Sequence, residues 1–286
     1  MKCLVTGAAG FIGSNLVDRL DEKAFYCDPR DKSMIHPENC CNFLKNSGKI
    51  EAVFHLGAIS STTVTDIIAL TKQNILFSSE LLTTCIEMNI PFVYASSASV
   101  YGLGKNGFSE DAPMTPINYY AVSKSVFDMY TLQKIQDNPA AHIIGLRYFN
   151  VYGRNESHKQ DMASPVHKFI NQAKSTKKIN IFSGSENYIR DFVHVSDAVS
   201  ITMSALNFNT SGIYNVGTGT KRSFLDVANI VSNLTKATIM EVPFPNHLRG
   251  KYQEFTCSDN EKINSIGHPS ARISLEDGIQ EVYSGS

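Results

Sequence analysis

The chain carries no excess of either charge: 26 lysines and arginines meet 27 aspartates and glutamates, for a formal net charge of −1. So balanced a sequence has no bulk field to gather nucleic acid or an anionic membrane surface. It has no apolar run near the roughly 18 residues of a membrane span. Its first residues enter "KCLVTG" with no apolar signal segment, so a cytoplasmic protein is expected. No C-x-x-C spacing links its cysteines (Cys3, Cys27, Cys40, Cys41, Cys85 and Cys257), and the adjacent pair Cys40 and Cys41 is badly placed to share one ion. Free thiols in a reducing compartment and no metal site are expected. Repeats, low-complexity tracts and flexible linkers are also missing. What is present is ordinary for an enzyme: 286 residues, 42% hydrophobic and 19% charged, ample for a large core.

In the first half, short apolar runs alternate with helical patterns. The runs are "KCLVT" (2–6), "AFYCD" (24–28), "AVFHL" (52–56), "PFVYAS" (91–96) and "HIIGLRY" (142–148), with helices expected over "FIGSNLVDRL", near 66–88 and near 118–136. Strands joined through helices imply crossover connections and a parallel sheet. The runs do not alternate with polar residues, as expected for strands covered on both faces. The fold class is therefore α/β, a doubly wound parallel sheet of Rossmann type. Residues 1–150 with about 189–206 are expected to form the dinucleotide-binding portion. The more irregular segments, about 151–188 and 207–286, are expected to form a smaller substrate-binding portion.

"VTGAAGFIG" sets Gly7, Gly10 and Gly13 between the first strand and a helix. Glycines there keep the turn tight and let backbone amides approach a pyrophosphate, with the helix N-terminus adding its dipole. Asp28 ends the second strand at about the 20-residue spacing of a ribose-binding carboxylate, which favours NAD. Arg30 and Lys32 follow closely, and either would neutralise a 2′-phosphate, which leaves NADP open.

"NYYAVSKSVFD" places Tyr120 and Lys124 one helical turn apart on one face. A free tyrosine has a pKa near 10, and a neighbouring ammonium and an oxidised nicotinamide favour its phenolate as a base. Ser97, in "YASSASVYG", falls at the carboxyl end of a strand, where such sheets bind ligands, with a hydroxyl for the reacting oxygen.

Together, "TGAAGFIGSN", "FHLGA", "YASSASVYG", "YYAVSK", "LRYFNVYG" and "RDFVHVSD" resemble the extended short-chain dehydrogenase/reductases, within them the nucleotide-sugar epimerases and dehydratases. The stretches "SSTT" (60–63), "RYFNVYGRNESHK", "FSGSENYIRDFV" and "FPNHLRGKYQEFT" are most similar to the ADP-glycero-manno-heptose 6-epimerase group, which implies carbohydrate metabolism toward lipopolysaccharide. The resemblance implies one tightly bound NADP or NAD per subunit, recycled in each turnover, a nucleotide-diphosphate sugar as substrate, and a homo-oligomer. It implies cofactor contacts from Phe11, Ile12, Asp28, the turn Leu56, Gly57, Ala58 and Ser60, Asn74, Lys124 and Val151. Sugar-nucleotide contacts would come from Asn150, the "FSGS" segment with Phe182 and Ser185, Arg190 and Tyr252. The planar fork of Arg190 suits a diphosphate. The group also implies a second acid/base at Lys159. A carbinol C–H is too weakly acidic for direct deprotonation, so the centre is inverted through a ketone. Tyr120 would serve one orientation of that ketone and Lys159 the other.

Three stretches differ from the family pattern. Between Asp28 and "AVFHL" the chain is short for the further strand that usually carries an adenine-contacting acidic loop. After Lys159 stand Gln160 and Asp161 in place of Gly-Ser. The family histidine after "MAS" falls at Lys168, with His167 one position early. A hexose 4-epimerase, for which Tyr120 and Ser97 suffice, is the second reading. A 4,6-dehydratase normally wants Asp-Glu where Ala98 and Ser99 stand, and a binding-only protein would gain little from keeping Ser97, Tyr120 and Lys124.

Overall fold

The computed structural model describes residues 1–20, 24–48, 50–245, 253–267 and 271–285, with the side chains of Gln160 and Asp161 left out. Each apolar run of the first half is a strand: Cys3–Thr6, Ala24–Cys27, Ala52–His55, Phe92–Ser97 and Ile143–Tyr148. A sixth strand, Gly212–Val216, joins them. The sheet order is Gly212–Val216, Ile143–Tyr148, Phe92–Ser97, Ala52–His55, Cys3–Thr6 and Ala24–Cys27, parallel throughout.

The missing alternation has a direct cause. Cys3, Val5, Ala52, Phe54 and Ile144 pack into one apolar cluster with the helix Val195–Ser204. Their neighbours Leu4, Val53, Phe92, Tyr94 and Ile143 pack into another, with residues of the helices Cys40–Asn46, Phe77–Glu87 and Tyr119–Asp137. Each strand therefore buries both faces.

Among its described residues, the short stretch after Asp28 makes no third strand. A single parallel bridge joins Cys27 to Ile35. Pro37 then opens a 3₁₀ turn, Pro37–Asn39, and the chain enters the helix Cys40–Asn46. Proline has no amide to donate and restricts the residue before it, so the ladder stops there.

The second portion has its own core. It is built from the helices Pro165–Thr176, Phe224–Thr235 and Leu275–Ser284 and a parallel pair, Lys178–Phe182 with Thr238–Val242. The strand Gly212–Val216 lies in the range assigned from sequence to this portion, yet it completes the central sheet beside Ile143–Tyr148. Its apolar, fully buried "GIYNV" is what a covered strand requires. Residues 189–194 carry two short strands. Ile189–Arg190 pairs with Arg222–Ser223, and Phe192–His194 pairs with Asn150–Tyr152. No helix among the described residues is long and apolar enough to cross a membrane.

Candidate active site

In the sheet order the chain moves outward from Cys3–Thr6 to Ala24–Cys27, then returns to Ala52–His55 on the other side. The crevice between Thr6 and His55 is thus the switch point at which open α/β sheets bind ligands. Two turns interlock there. Gly7 has φ +71°, and a Cβ on it would lie 2.6 Å from Cα of Gly57. A Cβ on Gly13 would lie 2.0 Å from the carbonyl oxygen of Gly7. The amide of Gly57 donates to Oγ1 of Thr6 (3.1 Å), whose hydroxyl also bonds Nδ1 of His55 (2.7 Å). Burial, with the charge of Lys124, pushes the His55 pKa down to about 3, so this imidazole is a neutral strut.

Asp28 is 1% exposed and fully engaged. Oδ2 accepts from the amide of Ala9 (3.1 Å) and Nη2 of Arg30 (2.6 Å), and Oδ1 accepts from the amide and Nε of Arg30 (3.0 and 2.8 Å). Burial alone would raise its pKa, but the bonds and charge of Arg30 hold the carboxyl below its usual range. Nη2 of Arg30 also lies 3.4 Å from the place a Cβ would take on Gly10. A glycine cradle that side chains would fill, next to a carboxylate and a guanidinium, fits a nicotinamide dinucleotide.

Phe11 and Ile12 open the helix Phe11–Val17 after that cradle. Asn74 is buried in a π-helical segment, Thr71–Leu76, of the kind often found at functional sites. It brackets Ile59, accepting from its amide (2.9 Å) and donating to its carbonyl (3.0 Å), and also donates to Oγ of Ser123 (2.9 Å). One side chain thereby ties the turn Leu56, Gly57, Ala58 and Ser60 to the helix of Tyr120.

That helix, Tyr119–Asp137, is capped by Asn118, whose side chain accepts from the amide of Ala121 (2.8 Å). Tyr120 and Lys124 are both buried on its inner face, against the strand Phe92–Ser97. Nζ of Lys124 donates to the carbonyl of Ala95 (2.7 Å). Burial pushes the lysine pKa down to about 8, partly opposed by Asp128 one turn along. Burial also raises the Tyr120 phenol, while a hydrogen bond with Ser97 favours its phenolate. Ser97 stands at the end of its strand, with Oγ accepting from the amide of Ser99 (3.2 Å). The serine, tyrosine and lysine expected from sequence are therefore assembled beside the interlocked turns.

Lys159 reaches the helix that follows the glycine turn. Its Nζ lies 4.5 Å from the centroid of the Phe11 ring and 3.0 Å from Oε2 of Glu156. Glu156 was not singled out by sequence. It is 1% exposed and accepts from the amide of Gly153, the amide and Oγ of Ser164, and Nζ of Lys159. Inside a wholly polar run, nothing in its residue type marks it as buried.

Of the sugar-side candidates, Asn150 lies in the seam where Asn150–Tyr152 pairs with Phe192–His194, and Arg190 lies just before it. Asn150 accepts from Oγ1 of Thr256 (3.4 Å), and Val151 packs against the first apolar cluster. Arg190 is buried, with its guanidinium over the ring of Phe224 (5.3 Å) and bonded to the carbonyls of Ile189 and Gln253. Its neighbour Asp191, also not singled out, accepts from the amides of Thr218, Gly219 and Ser258 and from Oγ1 of Thr218. It pins three segments beside Arg190. Phe182 meets Phe244 edge to face (5.5 Å), and Ser185 is buried with its hydroxyl on the carbonyl of Phe182. Lys168 is exposed in the first turn of Pro165–Thr176, and His167 bonds Asn171 (2.9 Å). Tyr252 lies outside the described residues.

The chain is 38% identical over 304 positions to the ADP-L-glycero-D-manno-heptose-6-epimerase of Brachyspira hyodysenteriae, covering 97% of this chain and 95% of that one. It is 39% identical over 305 positions to the protein of the same name from Alkalilimnicola ehrlichii, with the same coverages. The crystal structure of the Helicobacter pylori ADP-L-glycero-D-manno-heptose-6-epimerase matches at a TM-score of 0.86 and 27% identity, over 99% of this chain and 95% of that one. The profile of the NAD dependent epimerase/dehydratase family matches residues 3–217, which hold the interlocked turns, Ser97, Tyr120 and Lys124. By sequence, fold and the assembly at the switch point, the chain belongs to the NAD-dependent epimerase/dehydratase family.

Proposed function

We propose that the chain is a nucleotide-sugar 6-epimerase acting on an ADP-glycero-manno-heptose in the cytoplasm. The observation that carries this reading is Lys159 against Phe11, a second ionisable side chain beside the glycine turn. The heptose 6-epimerases at 38% and 39% identity across nearly the whole chain support it independently. The free state of all six cysteines agrees with a reducing compartment.

NAD(P), when bound, accepts a hydride from the carbinol carbon and returns it. The chain's own residues manage the proton. Tyr120, as phenolate, takes the hydroxyl proton, and Ser97 holds the reacting oxygen. Lys124 supplies the positive field that makes the phenolate accessible near neutral pH, against the burial that opposes it. Once the ketone has turned, its oxygen points away from Tyr120, and Lys159 returns a proton there. Arg190 and Asn150 hold the diphosphate and sugar, with Phe182, Ser185, Lys168 and Tyr252 completing the substrate set.

A second copy of the chain completes the enzyme in this reading. Tyr119, Val122, Val126 and Met129 are exposed on the outer face of the Tyr120 helix at the 3-4-3 spacing of a helix–helix seam, beside exposed Ile68 and Leu76. Met129→Glu should yield a monomer in sedimentation. An unchanged mass would remove that face as the contact.

The substrate test is direct. Incubated with ADP-glycero-manno-heptose, the protein should invert C6, and with UDP-glucose it should leave C4 unchanged. Tyr120→Phe should stop inversion and, from the epimer that Tyr120 serves, the transient absorbance of reduced cofactor. Inversion of UDP-glucose alone would replace this reading by the hexose 4-epimerase one.

A further inference from the structure

We infer that Glu156 is the positioning residue for Lys159, holding its ammonium at the glycine turn. This rests on the reading of Lys159 as the second acid/base.

The buried carboxylate serves neutral donors and a cation at once. The amide of Gly153 and the hydroxyl of Ser164 donate to Oε1 and the amide of Ser164 to Oε2, so the neutral donors engage both oxygens. A full negative charge away from water is costly unless a cation compensates it. Lys159 supplies that cation, three residues along the same 3₁₀ turn, with its own amide bonded to the carbonyl of Glu156 (2.9 Å). The lysine side chain is 23% exposed, and the carboxylate is fully buried. The charge is therefore the fixed member, and the flexible stem of Lys159 is drawn to it.

Glu156 is itself fixed from two directions. Ser164, which gives it two hydrogen bonds, is the N-cap of the helix Pro165–Thr176, with Oγ accepting from the amide of His167 (3.2 Å). Gly153, which gives it a third, follows the strand Asn150–Tyr152, and a Cβ there would lie 2.4 Å from Cγ1 of Val195. One carboxylate thus refers the lysine to a strand end and a helix start. The Phe11 ring receives the ammonium on the far side. A long, rotamer-rich side chain on a short loop is given one position.

Glu156→Gln keeps an acceptor for Ser164 and removes the charge. Its kcat for C6 inversion should fall at least about tenfold, within the range that acid/base catalysis supplies. KM should stay within about twofold. Oxidation begun from one C6 epimer should keep its wild-type rate of reduced-cofactor appearance, and from the other epimer it should fall with kcat. Equal loss from both epimers would reduce Glu156 to a structural residue and overturn the inference, as would full activity. An activity-free readout is thermal unfolding of the protein without cofactor. Lys159→Met should lower Tm, and Glu156→Gln added to it should restore part of the loss, because no buried charge is left unpaired. Strict additivity would also overturn the pairing. A fully active Lys159→Met would instead remove the second acid/base reading itself, and one that loses only cofactor affinity would turn Lys159 into a cofactor contact.

Discussion

The two lysines of the site are held in opposite ways. Lys124 sits inside a long helix, buried, with a neutral carbonyl as its hydrogen-bond partner and a pKa pushed down to about 8. Lys159 sits on a single 3₁₀ turn, partly exposed, with a buried carboxylate as its partner. The helix places Lys124 without needing a counter-charge, so the fold tolerates an ammonium that burial disfavours. The loop cannot place Lys159 by backbone geometry alone, and a charge does it instead. The fixed group works against the fold's stability, whereas the mobile one is held by an interaction that adds to it.

The largest consequences are in turnover. Lys124→Met should cut kcat by about two to four orders of magnitude, because the phenolate of Tyr120 loses its supporting charge. The burst of reduced cofactor should be lost from the C6 epimer that Tyr120 serves and kept from the other. Lys159→Met should cut inversion comparably yet leave oxidation of one epimer intact, measured as the burst of reduced cofactor. Loss of the burst from the same epimer in both variants would erase the distinction between the two lysines.

Stability should separate them by sign. An unfolded lysine keeps its proton to a pKa of about 10.4, and folded Lys124 only to about 8. Between those values the unfolded state binds more protons, so stability rises with pH through that window. The shift corresponds to about 3 kcal/mol held against the fold at neutral pH. Lys124→Met should recover about 2 kcal/mol of it at pH 7, the rest being lost with the hydrogen bond to Ala95. It should also flatten the rise between about pH 8 and pH 10. Lys159→Met should cost about 1–3 kcal/mol at pH 7, because Glu156 keeps its charge with neutral donors only. Urea unfolding at stepped pH reads both, and shifts of the same sign in the two variants would contradict the contrast.

How much of this was legible in sequence follows the same divide. Tyr120 and Lys124 could be placed because a helix has a fixed period, and the glycines because only a glycine fits where a Cβ would meet Gly57 or the carbonyl of Gly7. The missing third strand could be read from the shortness of the stretch before "AVFHL". Glu156 and Asp191 could not be read. Asp191 is held by residues 27 and 67 positions away and Glu156 by partners only three and eight positions away, and a polar run carries no mark of which member turns inward. Gly212–Val216 was assigned to the wrong side because a strand's partner is decided by the returning chain, and "GIYNV" would suit any covered sheet.

A second carboxylate–cation pair at the same turn offers the finest comparison. Asp28, like Glu156, is 1% exposed and saturated with donors, and its cation, Arg30, is 54% exposed and reaches Gly10 as Lys159 reaches Phe11. Asp28 and Arg30 pointed in sequence to opposite cofactors, the carboxylate to a ribose hydroxyl and the guanidinium to a 2′-phosphate. In the structure they are one unit, because both oxygens of Asp28 already accept from Arg30. A ribose hydroxyl must compete with that fork, whereas a 2′-phosphate can share it, so the pair should favour NADP. Arg30→Ala frees Asp28 and should weaken NADP binding by about fivefold to tenfold, about 1 kcal/mol for a half-exposed charged hydrogen bond. NAD binding should be unchanged or tighter, with both constants read by calorimetry on cofactor-stripped protein. A loss confined to NAD would show instead that Arg30 serves only to hold Asp28 in place, and the likeness to Lys159 would end at geometry.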